Sequence, residues 1–129
     1  MANARSLPVT FVGFVNQSRM PEVYAAADVL VLPSYSETWG LVVNEAFACG
    51  LPAIVSDRVG CAPDMIMDGL TGTVVPAGDI ERLASAIDYW IHVHDHAATR
   101  RVLAETTARY APANSAKAII DAAEELLDV

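Results

Sequence analysis

Short apolar runs, spaced widely enough to hold a helix between them, are the feature that most restricts this chain. Pro8-Val-Thr-Phe-Val-Gly-Phe-Val15, Val29-Leu-Val-Leu32 and Pro52-Ala-Ile-Val-Ser56 are apolar almost throughout, and Thr73-Val-Val75 is a shorter run of the same kind. A strand with one wet face alternates apolar and polar residues, whereas a continuous apolar strand is covered on both faces. Parallel strands need crossovers, and helical stretches separate these runs. The pattern therefore predicts an α/β fold, a Rossmann-like doubly wound parallel sheet of about four strands flanked by helices.

The helices have their own signals. Ser18 as a cap, Pro21 in the first turn and Glu22 at the positive helix end predict a helix through Ala27, ended by Asp28. A second starts near Gly40 and runs to Ala48, where Gly50 and Pro52 stop it. Asp57 to Gly72 reads as loop. Gly78-Asp79 opens a helix whose core face is Ile80, Leu83, Ala84, Ile87, Ile91 and His94. Another covers about Asp95 to Tyr110. After the break at Pro112, Asn114 or Ser115 caps a last helix with Ala116, Ile119, Ile120, Ala123, Leu126 and Leu127 inward. The 129 residues fit one domain, with C-terminal helices from about 95 to 129.

Composition narrows the function. Hydrophobic residues make up 53% of the chain and charged ones 19%, which demands an extensive interior. Sixteen acidic side chains against eight Lys plus Arg give a net charge of −8, which repels nucleic acid and anionic membranes. No apolar run reaches the ~20 residues of a membrane span, and Met1 to Leu7 lacks the character of a secretory signal, so cytoplasm is the expected location. Cys49 and Cys61 match no zinc spacing and are read as free thiols.

In doubly wound sheets, ligands bind beyond the carboxyl ends of the strands, so the loops after Val15, Leu32 and Ser56 are where chemistry is expected. The loop after Leu32 reads Ser34-Tyr-Ser-Glu37-Thr-Trp-Gly40-Leu-Val-Val-Asn-Glu45. Backbone N–H groups at Trp39, Gly40 and Leu41 open a helix and, with its dipole, favour a diphosphate. Glu45, inside that helix, suits the paired hydroxyls of a ribose, and Glu37 is placed to hold sugar hydroxyls.

Tyr24-Ala-Ala-Ala-Asp28, Pro33-Ser34, Glu37, Gly40-Leu41, Glu45-Ala46 and Cys49-Gly50-Leu-Pro52 resemble the donor domain of the retaining GT-B glycosyltransferases of group 1. Gly60-Cys61-Ala62-Pro63-Asp64, followed by Asp68-Gly69 and Thr71-Gly72, looks like that family's Gly-Gly-x-Pro-Glu loop and the turn after it; Cys61 and Asp64 depart from the pattern. The resemblance covers residues 8 to 93. It implies transfer of a sugar from a nucleotide diphosphate sugar, UDP- or GDP-type, with retained configuration and without an obligatory metal or other cofactor. Glu37 would position the donor sugar as the catalytic residue. Trp39, Gly40, Leu41 and Gly60 would meet sugar and diphosphate, Glu45 the ribose, and Phe14 and Val15 the base.

The resemblance also implies two strands and a helix, carrying an Arg and a Lys, ahead of Pro8, and an acceptor domain; this chain is expected to lack them. Arg58 is the one basic residue expected near the crevice, so weak donor binding and no transfer by the chain alone are expected, with a missing acceptor domain or complementary fragment as partner. The gap left in the sheet closes either by the first strand moving beside the second, in order 1-2-3-4, or by pairing of open edges in a homodimer. A non-catalytic nucleotide-sugar-binding or interaction module, and a scaffold without ligand, are the alternative functions. His92, His94 and His96 do not converge on one helix face, so no metal site is assigned to them.

Overall fold

A computed structural model describes residues 8–92 and 96–127. Three parallel strands form its sheet in the order β1 (Leu30–Leu32), β2 (Ala53–Ser56), β3 (Gly72–Val75), with Val31 opposite Ile54 and Ile54 opposite Thr73. Among the described residues six α-helices accompany them: α1 (Met20–Ala25), α2 (Leu41–Ala48), the single turn α3 (Ala62–Met65), α4 (Ile80–His92), α5 (His96–Arg109) and α6 (Pro112–Leu127). The α/β class and the parallel sheet agree with the sequence reading.

Alternation along β2 divides the interior into two layers. Ala53 and Val55 face Val43 and Phe47 of α2, Met65 of α3 and Leu103 of α5. Ile54 faces the other way, onto Val75, Ala86 and Trp90. Both faces of the strand are thus dry, as a continuous apolar run requires. Gly72 lets β3 approach, because a Cβ there would lie 1.9 Å from the Ala53 carbonyl oxygen. No described helix is long and apolar enough to cross a membrane.

The first expected strand does not form. Residues 8–16 have no regular structure, and Phe11 and Phe14 are 93% and 95% exposed. Extended backbone is stabilised by a neighbouring ladder, and among the described residues β1 pairs with β2 alone, so the order 1-2-3-4 is not adopted. The helix that follows is also shorter than expected. Asn16, rather than Ser18, supplies the capping oxygen, accepting from the Ser18 N–H at 3.1 Å over a 3₁₀ turn (Gln17–Arg19), and α1 ends at Ala25 instead of Ala27.

Helix α4 is rotated about its axis relative to the expected face. Ile80, Ala84 and Ile91 are exposed, while Leu83, Ala86, Ile87 and Trp90 turn inward. That alternative series has the same helical spacing, and it buries the largest side chain of the helix. The Trp90 indole N–H then donates to Thr73 Oγ1 at 3.0 Å, so its polar atom is not stranded. His94, expected on the core face, and Asp95, expected to start α5, lie outside the described residues.

Helix α6 corrects a second expectation. Pro112 begins it instead of breaking the chain, and Ile119, Ile120, Leu126 and Leu127 are exposed, not inward. Asn114 does not cap α6; its side-chain amide donates to the Ala108 carbonyl at 2.7 Å, closing the end of α5. The loop expected from Asp57 to Gly72 contains α3.

The rotation of α4 can be tested by equilibrium denaturation. Trp90→Ala should cost about 3–5 kcal/mol through the cavity it leaves. Ile91→Ser, one residue away on the exposed side, should change stability by less than ~0.5 kcal/mol.

Candidate functional site

The carboxyl end of β1 leads into the Glu37–Leu41 loop, and the carboxyl end of β2 into the Asp57–Cys61 loop. The two run together as a short parallel ladder. The Glu37 N–H donates to the Arg58 carbonyl at 3.2 Å, the Gly60 N–H to the Glu37 carbonyl at 2.9 Å and the Cys61 N–H to the Trp39 carbonyl at 2.8 Å. The Ser56 hydroxyl ties the roots of both loops by donating to the Ser34 carbonyl. Gly60 is fitted to this ladder: a Cβ on it would stand 1.9 Å from the Thr38 carbonyl oxygen.

Gly40 makes the bend from loop to helix. Its φ of 101° is left-handed and therefore open to glycine, and a Cβ would press on Val59 at 3.0 Å. Its carbonyl already accepts from the Val43 N–H at 2.8 Å, whereas the N–H groups of Gly40, Leu41 and Val42 have no acceptor among the described residues. Unpaired amides at a helix start, backed by the dipole, attract an anion. Trp39 differs, because its N–H donates to Glu37 Oε1 at 3.4 Å. A phosphate approaching that amide would displace a long hydrogen bond and meet the Glu37 charge.

Glu45, exposed on α2, accepts from the Tyr24 hydroxyl of α1 at 2.8 Å. Tyr24 is buried, and burial followed by the Glu45 contact pushes its pKa from 10.0 to about 12. Burial likewise raises Cys61 from 9.0 to about 11; the charges of Asp64 and Glu37 add to this and a backbone hydrogen bond opposes it. Arg58, the expected cation, has its Nε 3.7 Å from Asp57 and is largely exposed. Cys49 and Cys61 are free thiols.

Hydrogen bonds therefore link Glu37 to Trp39 and to Gly60, with Gly40, Leu41 and Glu45 following along the chain into α2. Phe14 and Val15 are not part of that group. They line a separate cavity of about 390 Å³ with Val12, Asn16, Arg19, Glu22 and Val23. Sequence reasoning gave Tyr24 no role at Glu45; the available signal was a hydroxyl-bearing aromatic on the inward side of α1. It also passed over Asn44, whose Oδ1 accepts the Trp39 indole N–H at 2.8 Å. His92 bonds Asp88 on its own helix, with Nδ1 3.0 Å from the carbonyl oxygen, while His94 and the side chain of His96 lie outside the described residues.

A parallel sheet leads at its carboxyl end into a glycine-started helix, with one acid before the turn and another within the helix. Residues 2–110 match the family of glycosyl transferases group 1, and the chain belongs to that family. It is 39% identical over 107 residues to D-inositol 3-phosphate glycosyltransferase of Mycobacterium tuberculosis, covering 82% of this chain and 22% of that protein. Among solved structures, sucrose-phosphate synthase from Thermosynechococcus elongatus is 39% identical with a TM-score of 0.66, covering 78% of this chain and 24% of that one. A lipopolysaccharide outer core galactosyltransferase shares the fold, with a TM-score of 0.70 at 24% identity over 84% of this chain and 31% of its own. The chain thus spans between 22% and 31% of the length of these proteins.

Two outcomes are expected. Gly60→Ala should force the paired loops apart and destabilise the protein by about 1–3 kcal/mol, measured in urea. Alkaline pH should also destabilise it. Below their ordinary values Tyr24 and Cys61 are protonated in both folded and unfolded chains; as pH rises from about 9 to about 12 the unfolded chain releases protons that the fold retains, and stability falls. Tyr24→Phe should remove a tyrosine ionisation near pH 12 from the ultraviolet titration curve.

Proposed function

We propose that this chain is the donor-binding part of a retaining glycosyltransferase, a single domain over residues 1–129 that holds a nucleotide diphosphate sugar of the UDP or GDP type. The observation that carries this reading is the start of α2, where left-handed Gly40 leaves the amides of Gly40, Leu41 and Val42 unpaired beyond the carboxyl end of β1. Those amides would bind the diphosphate. Glu37 would hold hydroxyls of the donor sugar beside the reacting carbon, and Glu45 would accept from the ribose, exchanging or sharing its bond with Tyr24. Gly60 acts by keeping the Glu37 backbone in place. Phe14 and Val15 lie at a separate cavity, away from these groups.

The isolated polypeptide should bind donors weakly and transfer no sugar. A nucleotide diphosphate brings about −2 charge, and a helix N-terminus supplies roughly +0.5, so cations must carry most of the compensation. Arg58 lies against Asp57 instead. A complementary domain, or a second copy, would meet the open edge of β1 and the exposed apolar side chains of α6. The same exposed side chains favour the second reading, a non-catalytic interaction module.

NMR titration with UDP, GDP and their glucose conjugates distinguishes the readings. Millimolar binding with shifts centred on residues 37–45 is expected, and Glu45→Gln should weaken it by roughly 1.5–3 kcal/mol through loss of a charge-assisted bond. Shifts confined to other parts of the chain would remove the donor assignment, and micromolar affinity would remove the account of its cations.

A further inference from the structure

The Trp39 side chain stands apart from the ligand chemistry assigned above. It projects from the loop that carries Glu37 and Gly40, is only half-buried, and touches two other segments, one of which reaches a third. From α2, Asn44 accepts the indole N–H at 2.8 Å. From the end of α5, the Tyr110 ring packs on the indole with centroids 5.8 Å apart and planes inclined at 52°. The Tyr110 hydroxyl then donates to the Asp64 carbonyl of α3 at 3.3 Å.

We propose that Asn44 and Tyr110 are positioning residues that hold the Glu37–Gly40 loop in its ligand-ready conformation, acting through the Trp39 side chain. Three features carry this. Asparagine is a poor choice inside an eight-residue helix because its side chain competes for backbone groups, yet here its oxygen is committed to the loop in front of the helix. An indole N–H that loses its acceptor on a half-buried ring seeks water by turning the ring outward, and the backbone turns with it. That backbone is the segment whose N–H reaches Glu37 Oε1 and whose carbonyl receives the Cys61 N–H. Tyr110 braces the other side of the same ladder through Asp64, three residues past Cys61.

The arrangement stores order in the free protein. A loop already held in the bound form does not lose that conformational freedom when a ligand arrives, so affinity gains without a new ligand contact. The ligand in question is the nucleoside diphosphate of the preceding section, and this part of the inference rests on that reading.

The test uses the full chain in two arms. In amide hydrogen exchange without ligand, Asn44→Leu and Tyr110→Ala should speed exchange at Gly60 and Cys61 about tenfold while β2 amides keep their protection. Asn44→Asp, which keeps an acceptor, should stay within about twofold of the parent, and Tyr110→Phe, which keeps the ring on Trp39 but loses the bond to Asp64, should fall between the parent and Tyr110→Ala. In NMR titration with UDP and with GDP, Asn44→Leu should weaken binding about tenfold, and in a Trp39→Phe background it should add nothing, because its partner is gone. Unchanged exchange at Gly60 and Cys61 overturns the proposal, as does a full effect of Asn44→Leu without the Trp39 indole. A loosened loop together with no nucleotide shifts in the parent protein supports the positioning role and removes the donor reading instead.

Discussion

Everything in the molecule is arranged around the burial of β2 on both faces and along both edges. Ala53, Ile54, Val55 and Ser56 are all inaccessible, so their backbone groups must be paired by neighbouring strands and their side chains by helices above and below. Gly72 meets the first demand on one side by allowing β3 to close in. Helices α2 and α5 meet the second on one face and α4 on the other. The site inherits its geometry from this strand, since the Ser56 hydroxyl fastens the exit of β2 to the exit of β1, and the two loops leave side by side.

That dependence explains which parts of the fold were legible in the sequence. Pro52–Ser56 read as a strand because a doubly buried strand writes its environment into every residue, and Val29–Leu32 and Thr73–Val75, half-buried or with Val74 exposed, read as strands from shorter apolar runs of the same kind. Gly40 and Gly50 marked the limits of α2 for the same local reason, both having positive φ. The run Pro8–Val15 carries an equally strong signal and still forms no strand, because β propensity is a statement about fit to a neighbour and no described strand lies beside this run. Helix α6 repeats the lesson: an apolar stripe was visible, but the surface against which it would pack was not.

Local pattern also left the orientation of α4 undetermined. Leu83 and Ile87 belong to both candidate faces, and the choice between Ile80 with Ile91 and Ala86 with Trp90 depends on Thr73, a residue on another element. At the site the division is similar. Glu37, Gly40 and Glu45 stand out by type and spacing, whereas the partners that fix them, Tyr24 for Glu45 and Tyr110 for Trp39, come from distant parts of the chain. Such pairings leave no periodic trace.

The two tryptophans occupy different layers of the protein. Trp90 is sealed between α4 and the sheet, shielded from anything that occurs at the loops, and Trp39 belongs to the opposite layer at the rim where Tyr110 touches it. Intrinsic emission consequently contains two separable voices. One indole changes colour only when the interior floods, and the other responds to the posture of a single bend, so native fluorescence can follow local rearrangement and global melting in one sample without an added dye.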